Sequence, residues 1–290
     1  MALSTKKVSK LQRREDLTGV LYAMPMIVKC IIFTVIPTIF CLIVSFTDYN
    51  MLASGNRITR FTLEHYIEVF TSEYYWRSMY NTIYYMIGLP IRLVLGFLLA
   101  VALNNKKLFG RTAFRVIYYL PAVSSVVAVS LVWRWIFNTD GVLNQILGTN
   151  ISWLYDPAIV KNSLILKSIW GGIGGTMLMY LAGMQNINEE LYEAADLDGA
   201  SSFIKMMKIT LPLCATMTGY LVLTGVTGAL AAFSDNYTMI ASESANTVVY
   251  WIYAQFKGGN YPLVGAGSFV LGTIIFVLSL PQFKRIVENN

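Results

Sequence analysis

Residues 189–212 read EELYEAADLDGASSFIKMMKITLP, and this stretch organises the rest of the chain. It is the longest acid-rich amphipathic segment in a sequence that is otherwise mostly apolar. Hydrophobic runs long enough to cross a bilayer flank it on both sides. Asn188 stands at an N-cap position, and Glu189 and Glu190 follow in the first turn, where carboxylates favour the positive end of the helix dipole. Leu191, Ala194, Ala195 and Leu197 fall at spacings that make one apolar side. Asp198-Gly199 is a turn pair, and Gly199 can take the left-handed conformation that ends a helix. Ser201 or Ser202 caps a second short helix, carrying Lys205 and Lys208, that the spacing predicts to end at Ile209. Pro212 suits the first turn of the element after it. The expectation is two short helices joined at Asp198-Gly199, with Ala194, Ala195, Gly199 and Ala200 small enough for close docking into a groove. A polar connector with this much helical character is more than a spacer. It marks the place where a partner acts on the membrane part of the chain.

A mean hydropathy of +0.55, with 56% hydrophobic and only 13% charged residues, excludes a soluble domain. The charges cluster between long apolar runs, the pattern of an all-α polytopic membrane protein. Six spans are predicted: Leu17–Phe46, Arg77–Leu103, Ala113–Phe137, Ser163–Gln185, Leu213–Asn236 and Pro262–Phe283. Pro25 and Pro37 are expected to kink the first span, and TLEHYIEVF at 62–70 reads as an interfacial helix. The basic start followed by an apolar run is too long, and lacks the small-residue site, for a cleaved signal peptide. Cys30, Cys41 and Cys214 lie in or beside hydrophobic runs with no paired spacing, so no metal or disulfide site is expected. A single histidine, His65, in a predicted loop argues against histidine-based catalysis, and no enzyme activity or cofactor is expected.

The net charge of +6 is topological and does not point to nucleic acid. The N-terminal tail, the 104–115 connector, the acid-rich loop and the C-terminal tail hold 13 of the 22 Lys and Arg. The opposite loops and the adjoining span edge hold only Arg57, Arg60, Arg77, Lys161 and Lys257. By the positive-inside rule both termini and the acid-rich loop are cytoplasmic.

Glu193-Ala194-Ala195, Gly199-Ala200, Ile209, Leu211 and Pro212 resemble the EAA signature of membrane subunits of binding-protein-dependent ABC importers. Asn188 stands where that family often has Pro, and Met206 where it often has Phe. In that family the loop docks into a cleft on a cytoplasmic ATPase, the glutamate approaches a basic residue, and the glycine allows the bend. The resemblance therefore implies that Glu193, Ala194, Ala195, Asp198, Gly199 and Ala200 couple this chain to an ATPase dimer, which would carry the ATP and Mg. The motifs SFTDYN at 45–50, Asn81-Thr82, GRTAFR at 110–115, Trp133 to Phe137 with Gly141 and Asn144, and WLYDP at 153–157 extend the likeness. Together they resemble the sugar-importing permeases related to the larger maltose-transporter membrane subunit. That likeness implies a type I ABC importer permease fold: a tail at 1–16 and a six-span domain at 17–290, with the coupling loop at 187–212. It further implies a second permease subunit, an extracytoplasmic solute-binding protein, and a place in a bacterial or archaeal inner or plasma membrane. The cargo expected is a sugar, in particular an oligosaccharide, with a glycerol-phosphate ester as the alternative within the family.

A sugar path wants aromatic faces and a few fixed polar groups. The spans on either side of the coupling loop offer Trp170, Tyr180, Thr224, Gly225, Gly228 and Ala232 as path candidates. Small residues at these spacings also mark close helix packing in membranes, and both readings stand. An ion-coupled carrier would place carboxylates deep in the spans, and none lies well inside the predicted ones. The sequence contains no G-x-x-x-x-G-K-[ST] nucleotide motif of its own.

Overall fold

The computed structural model describes residues 10–51, 58, 60–239 and 242–288, with side chains between 18 and 281. Lys6, Lys7 and Arg57 lie outside the described residues. Among those described every regular element is a helix, apart from an isolated antiparallel bridge between Thr47 and Phe61. Four helical stretches are long and apolar enough to cross a bilayer: Thr18–Ser45, Glu73–Asn104, Val160–Met184 and Tyr261–Pro281. Two more are bent pairs, Arg111–Val123 with Val126–Ile136 at 98° and Ser202–Leu213 with Ala215–Leu230 at 65°. With each bent pair taken as one crossing, six spans follow in the order expected.

The first crossing comprises α1 (Lys10–Cys30), a π turn (Ile31–Val35) and α2 (Ile36–Ser45). The interfacial segment forms α3 (Glu64–Thr71). The second crossing joins α4 (Glu73–Tyr85) to α5 (Gly88–Asn104), and starts earlier than Arg77 because Ser72 caps it by accepting from the Tyr75 N–H at 3.2 Å. The third bends between α6 (Arg111–Val123) and α7 (Val126–Ile136), followed by the short α8 (Val142–Leu147). The fourth is α9 (Val160–Met184). The loop carries α10 (Glu189–Leu197) and α11 (Ser202–Lys205), then a π turn (Met206–Thr210) and α12 (Leu211–Leu213). The fifth crossing proper is α13 (Ala215–Leu230), after which come α14 (Ser234–Met239), α15 (Val248–Lys257) and the last span, α16 (Tyr261–Glu288).

Two further boundaries move. The fifth span ends at Leu230 and not Asn236, because Asp235 and Asn236 are drawn sideways into tertiary bonds described below. The loop's second helix does not stop at Ile209. It runs unbroken from Ser202 to Leu213 and bends only at Cys214. Both π turns end two residues before a proline, Pro37 and Pro212. A proline inside a helix removes one N–H and crowds the carbonyl four residues back. Widening the preceding turn relieves that crowding without breaking the rod.

Within a bilayer the hydrophobic effect does not drive helix pairing, because lipid tails are as apolar as leucine; close packing and hydrogen bonds do. The first crossing accordingly leaves large apolar side chains such as Tyr22 and Phe33 exposed. The tightest association is of α5 and α6 with α9. Gly174 sets its geometry, since a β-carbon there would lie 1.9 Å from the Tyr118 carbonyl oxygen. Phe97, Met177, Tyr180 and Leu221 form the core on that side. A second core gathers Val69, Tyr75, Met79 and Trp251 against α16.

Candidate functional site

The acid-rich loop is built by local caps. Asn188 accepts from the Glu190 N–H at 3.1 Å and opens α10. At its end Gly199 adopts φ +71°, with the Gly199 N–H donating to Asp196 O at 3.1 Å and the Ala200 N–H to Ala195 O at 2.9 Å. This is a Schellman ending, in which the left-handed residue lets two late carbonyls find partners. Ser201 then caps the next helix by accepting from the Ile204 N–H at 3.4 Å.

Ion pairs fix the loop to its neighbours. Lys106, in the connector between α5 and α6, donates to Glu189 at 2.6 Å. That hydrogen bond and the ammonium's charge hold the Glu189 carboxyl below the usual carboxylate range. Lys205 reaches back to Asp196 at 2.5 Å, and the Tyr192 hydroxyl meets that of Thr210 at 2.9 Å. Glu190 accepts from Asn188. The Glu193 and Asp198 carboxylates have no hydrogen bond or ion pair among the described residues, and both residues are exposed. Around them Ala194 and Gly199 are also exposed and Ala195 and Ala200 half-buried, while Leu197 stands 91% exposed. The result is a small-residue and apolar face carrying two free carboxylates.

The second region is a cavity of about 530 Å³ among the spans. Its walls come from α5, the bend between α6 and α7, α9, α13 and α14. Thr224, Gly225, Gly228 and Ala232 all line it. No neighbour lies within 4 Å of a β-carbon built on Gly228, whereas Gly225 packs tightly on Leu89 and Arg92. Trp170 and Tyr180 lie elsewhere. Trp170 stacks edge-on against Trp133, with centroids 5.4 Å apart. Tyr180 is buried against Phe97, its hydroxyl 3.0 Å from that of Thr218.

Three charged residues line the cavity that periodicity did not single out as path residues: Arg92, Lys167 and Asp235. Lys167 on α9 pairs with Asp235 on α14, and the Ser130 hydroxyl joins them, 2.8 Å from Asp235 and 3.2 Å from Lys167. This cluster ties α7, α9 and α14 together. The remaining landmarks of the sequence are loop anchors. Asn81 donates to Ser244 O and Asn246 O, and Thr82 accepts from the Val248 N–H, holding the segment before α15 onto α4. Asn144 donates to the Thr139 and Ile151 carbonyls and accepts from the Trp153 indole at 2.9 Å.

These features define a polytopic helical membrane protein with a cavity among its spans and a doubly capped helical loop at one end. Residues 92–283 match the family described as binding-protein-dependent transport system inner membrane component, and the chain belongs to that family. It is 33% identical over 292 residues to the probable ABC transporter permease protein YesP of Bacillus subtilis, across 96% of this chain and 93% of the relative. It is 30% identical over 307 residues to the lactose transport system permease protein LacF of Rhizobium radiobacter, across 99% of this chain and 100% of the relative. Its fold matches a chain of the bacterial alginate ABC transporter, solved in complex with an alginate pentasaccharide-bound periplasmic protein. There the TM-score is 0.81 at 26% identity, over 94% of this chain and 96% of that chain. The architecture is that of an ABC importer permease.

Proposed function

We propose that this chain is the membrane permease subunit of an ATP-driven importer that moves a sugar, in particular an oligosaccharide, into the cytoplasm. One observation carries the coupling half of this reading. On a loop whose Glu189, Glu190 and Asp196 carboxylates are tied up within the chain, Glu193 stands free and exposed amid small residues, as does Asp198 beside the bend. A free carboxylate there suits a basic residue on a docked partner. In this reading Glu193, Ala194, Ala195, Asp198, Gly199 and Ala200 meet a cytoplasmic ATPase dimer, which holds ATP and Mg. A second permease subunit completes the pathway, and an extracytoplasmic solute-binding protein delivers cargo. Both termini and the loop face the cytoplasm, in keeping with the distribution of Lys and Arg. Lactose and alginate, named for two of the relatives, support a carbohydrate cargo. Thr224, Gly225, Gly228 and Ala232 are its path residues, with Trp170 and Tyr180 supporting the helices that carry them.

Reconstitution of the assembled transporter tests the reading. Glu193→Lys is expected to abolish substrate-stimulated ATP hydrolysis while the chain still inserts. Full stimulation in that variant, or uptake driven by a proton gradient without ATP, would overturn it.

A further inference from the structure

Arg92 holds a charge that nothing in the described structure balances. It lies on α5, half-buried in the cavity wall, and its Nε is shielded from solvent without a hydrogen-bond partner. No ion pair or ring contact engages it among the described residues. The other cation of the wall, Lys167, is already matched by Asp235. The cavity lining therefore carries two cations and one carboxylate, an excess of one positive charge.

The helices around it are shaped to seat this group. A β-carbon on Gly172 of α9 would lie 2.3 Å from Arg92 Cδ and 2.8 Å from Nη1. One on Gly225 of α13 would meet Leu89 Cδ1 first and would lie 3.0 Å from Arg92 Nη2. Two spans thus omit a side chain where the guanidinium sits, and the fork is held between them. A charge kept at membrane depth without a partner is costly and points to a function. A guanidinium stays charged, and its planar fork matches a carboxylate by two parallel hydrogen bonds.

We infer that Arg92 binds the carboxylate of an acidic sugar as it passes, so that the cavity selects uronate-bearing saccharides over neutral ones. The inference rests on the importer reading and deepens it. One excess positive charge balances one carboxylate. A phosphate ester concentrates close to two negative charges on one group, whereas an oligouronate spreads its carboxylates over separate rings and presents them to Arg92 one at a time.

The test uses the assembled transporter with its own solute-binding protein in ATP-loaded proteoliposomes. Three probes are compared: digalacturonate, galactobiose and glycerol 3-phosphate. Digalacturonate is expected to enter at least tenfold faster than galactobiose. Arg92→Gln should shrink that preference tenfold or more, and Arg92→Lys should restore part of it. The ratio is internal to each preparation, so a folding defect cannot mimic the loss. Galactobiose uptake with no preference for digalacturonate overturns the inference and leaves the importer reading intact. An unchanged preference in Arg92→Gln also overturns it, placing selection in the binding protein alone. Arg92-dependent uptake of glycerol 3-phosphate in place of digalacturonate overturns the carboxylate assignment. Equal loss of both sugars, with the permease pair separating on gel filtration, assigns the guanidinium to a carboxylate of the partner permease. Uptake of none of the probes overturns the inference, and the Glu193→Lys coupling test then decides separately whether the importer reading falls.

Discussion

Lys167 and Asp235, 68 positions apart, meet across the cavity wall, the lysine side chain 7% exposed and the aspartate 27%. The two ends of the pair are therefore unequal. Asp235→Asn strands an ammonium that is almost wholly withdrawn from water, and removing one partner of such a pair costs about 3 kcal/mol. Lys167→Met leaves a carboxylate with water access and the Ser130 hydroxyl, for a smaller cost of about 1–2 kcal/mol. Thermal unfolding of the purified complex should show the larger drop for Asp235→Asn, with the double variant recovering much of it. The reverse order would contradict this account.

Gly174 and Gly175 are adjacent and should behave oppositely. A methyl group on Gly174 meets the Tyr118 carbonyl, which is backbone and cannot swing aside; one on Gly175 meets nothing within 4 Å. Gly174→Ala should cost about 3 kcal/mol or more through overpacking between α6 and α9. Gly175→Ala should be neutral, or stabilising by up to about 1 kcal/mol through helix propensity. Melting temperatures of the two variants check this, and equal behaviour would rule out the close crossing.

At Gly199, φ +71° is a conformation that a β-carbon resists by roughly 1–2 kcal/mol. Gly199→Val should disturb the Schellman ending and weaken substrate-stimulated ATP hydrolysis, whereas Gly199→Asn should retain most of it because asparagine tolerates the left-handed region. Hydrolysis measured with and without substrate separates the two. Full coupling in Gly199→Val would show that the bend is dispensable.

The Lys106–Glu189 pair makes a pH-dependent prediction. Its folded carboxyl lies below the ordinary value of 4.5, so its contribution is present above that value and is lost as pH falls through the depressed one. Both side chains are about three-quarters exposed, so the effect is small and screened by salt. The melting difference between wild type and Lys106→Met should be visible near neutral pH. It should vanish in strong acid and in molar salt. A difference that persists in molar salt would assign Lys106 another role.

The acid-rich loop was legible because its signals are local. Asn188, Asp198-Gly199 and Ser201 each act on backbone within five residues, so neighbouring letters carry the geometry. The spans were legible from hydropathy, but their bends were not. Pro121 is visible in the sequence, yet the 98° turn falls beyond it at Ser124-Ser125. The cavity was only half legible. Residues two apart on a helix point about 200° from each other, so Trp170 and the wall residue Gly172 face different neighbours. No periodicity reveals that Gly172 is small on account of Arg92 and Gly225 on account of Leu89 and Arg92, because that fit involves three separate helices.

The unbroken helix from Ser202 to Leu213 behaves as a crank. Its 12 residues extend roughly 18 Å, so a tilt of about 10° about its Ser202 end swings the far end by about 3 Å. That end is the knee at Cys214, from which α13 rises to the cavity wall. A stroke of that size is comparable to the width of a sugar hydroxyl contact, enough to make or break hydrogen bonds along the path without unwinding any crossing.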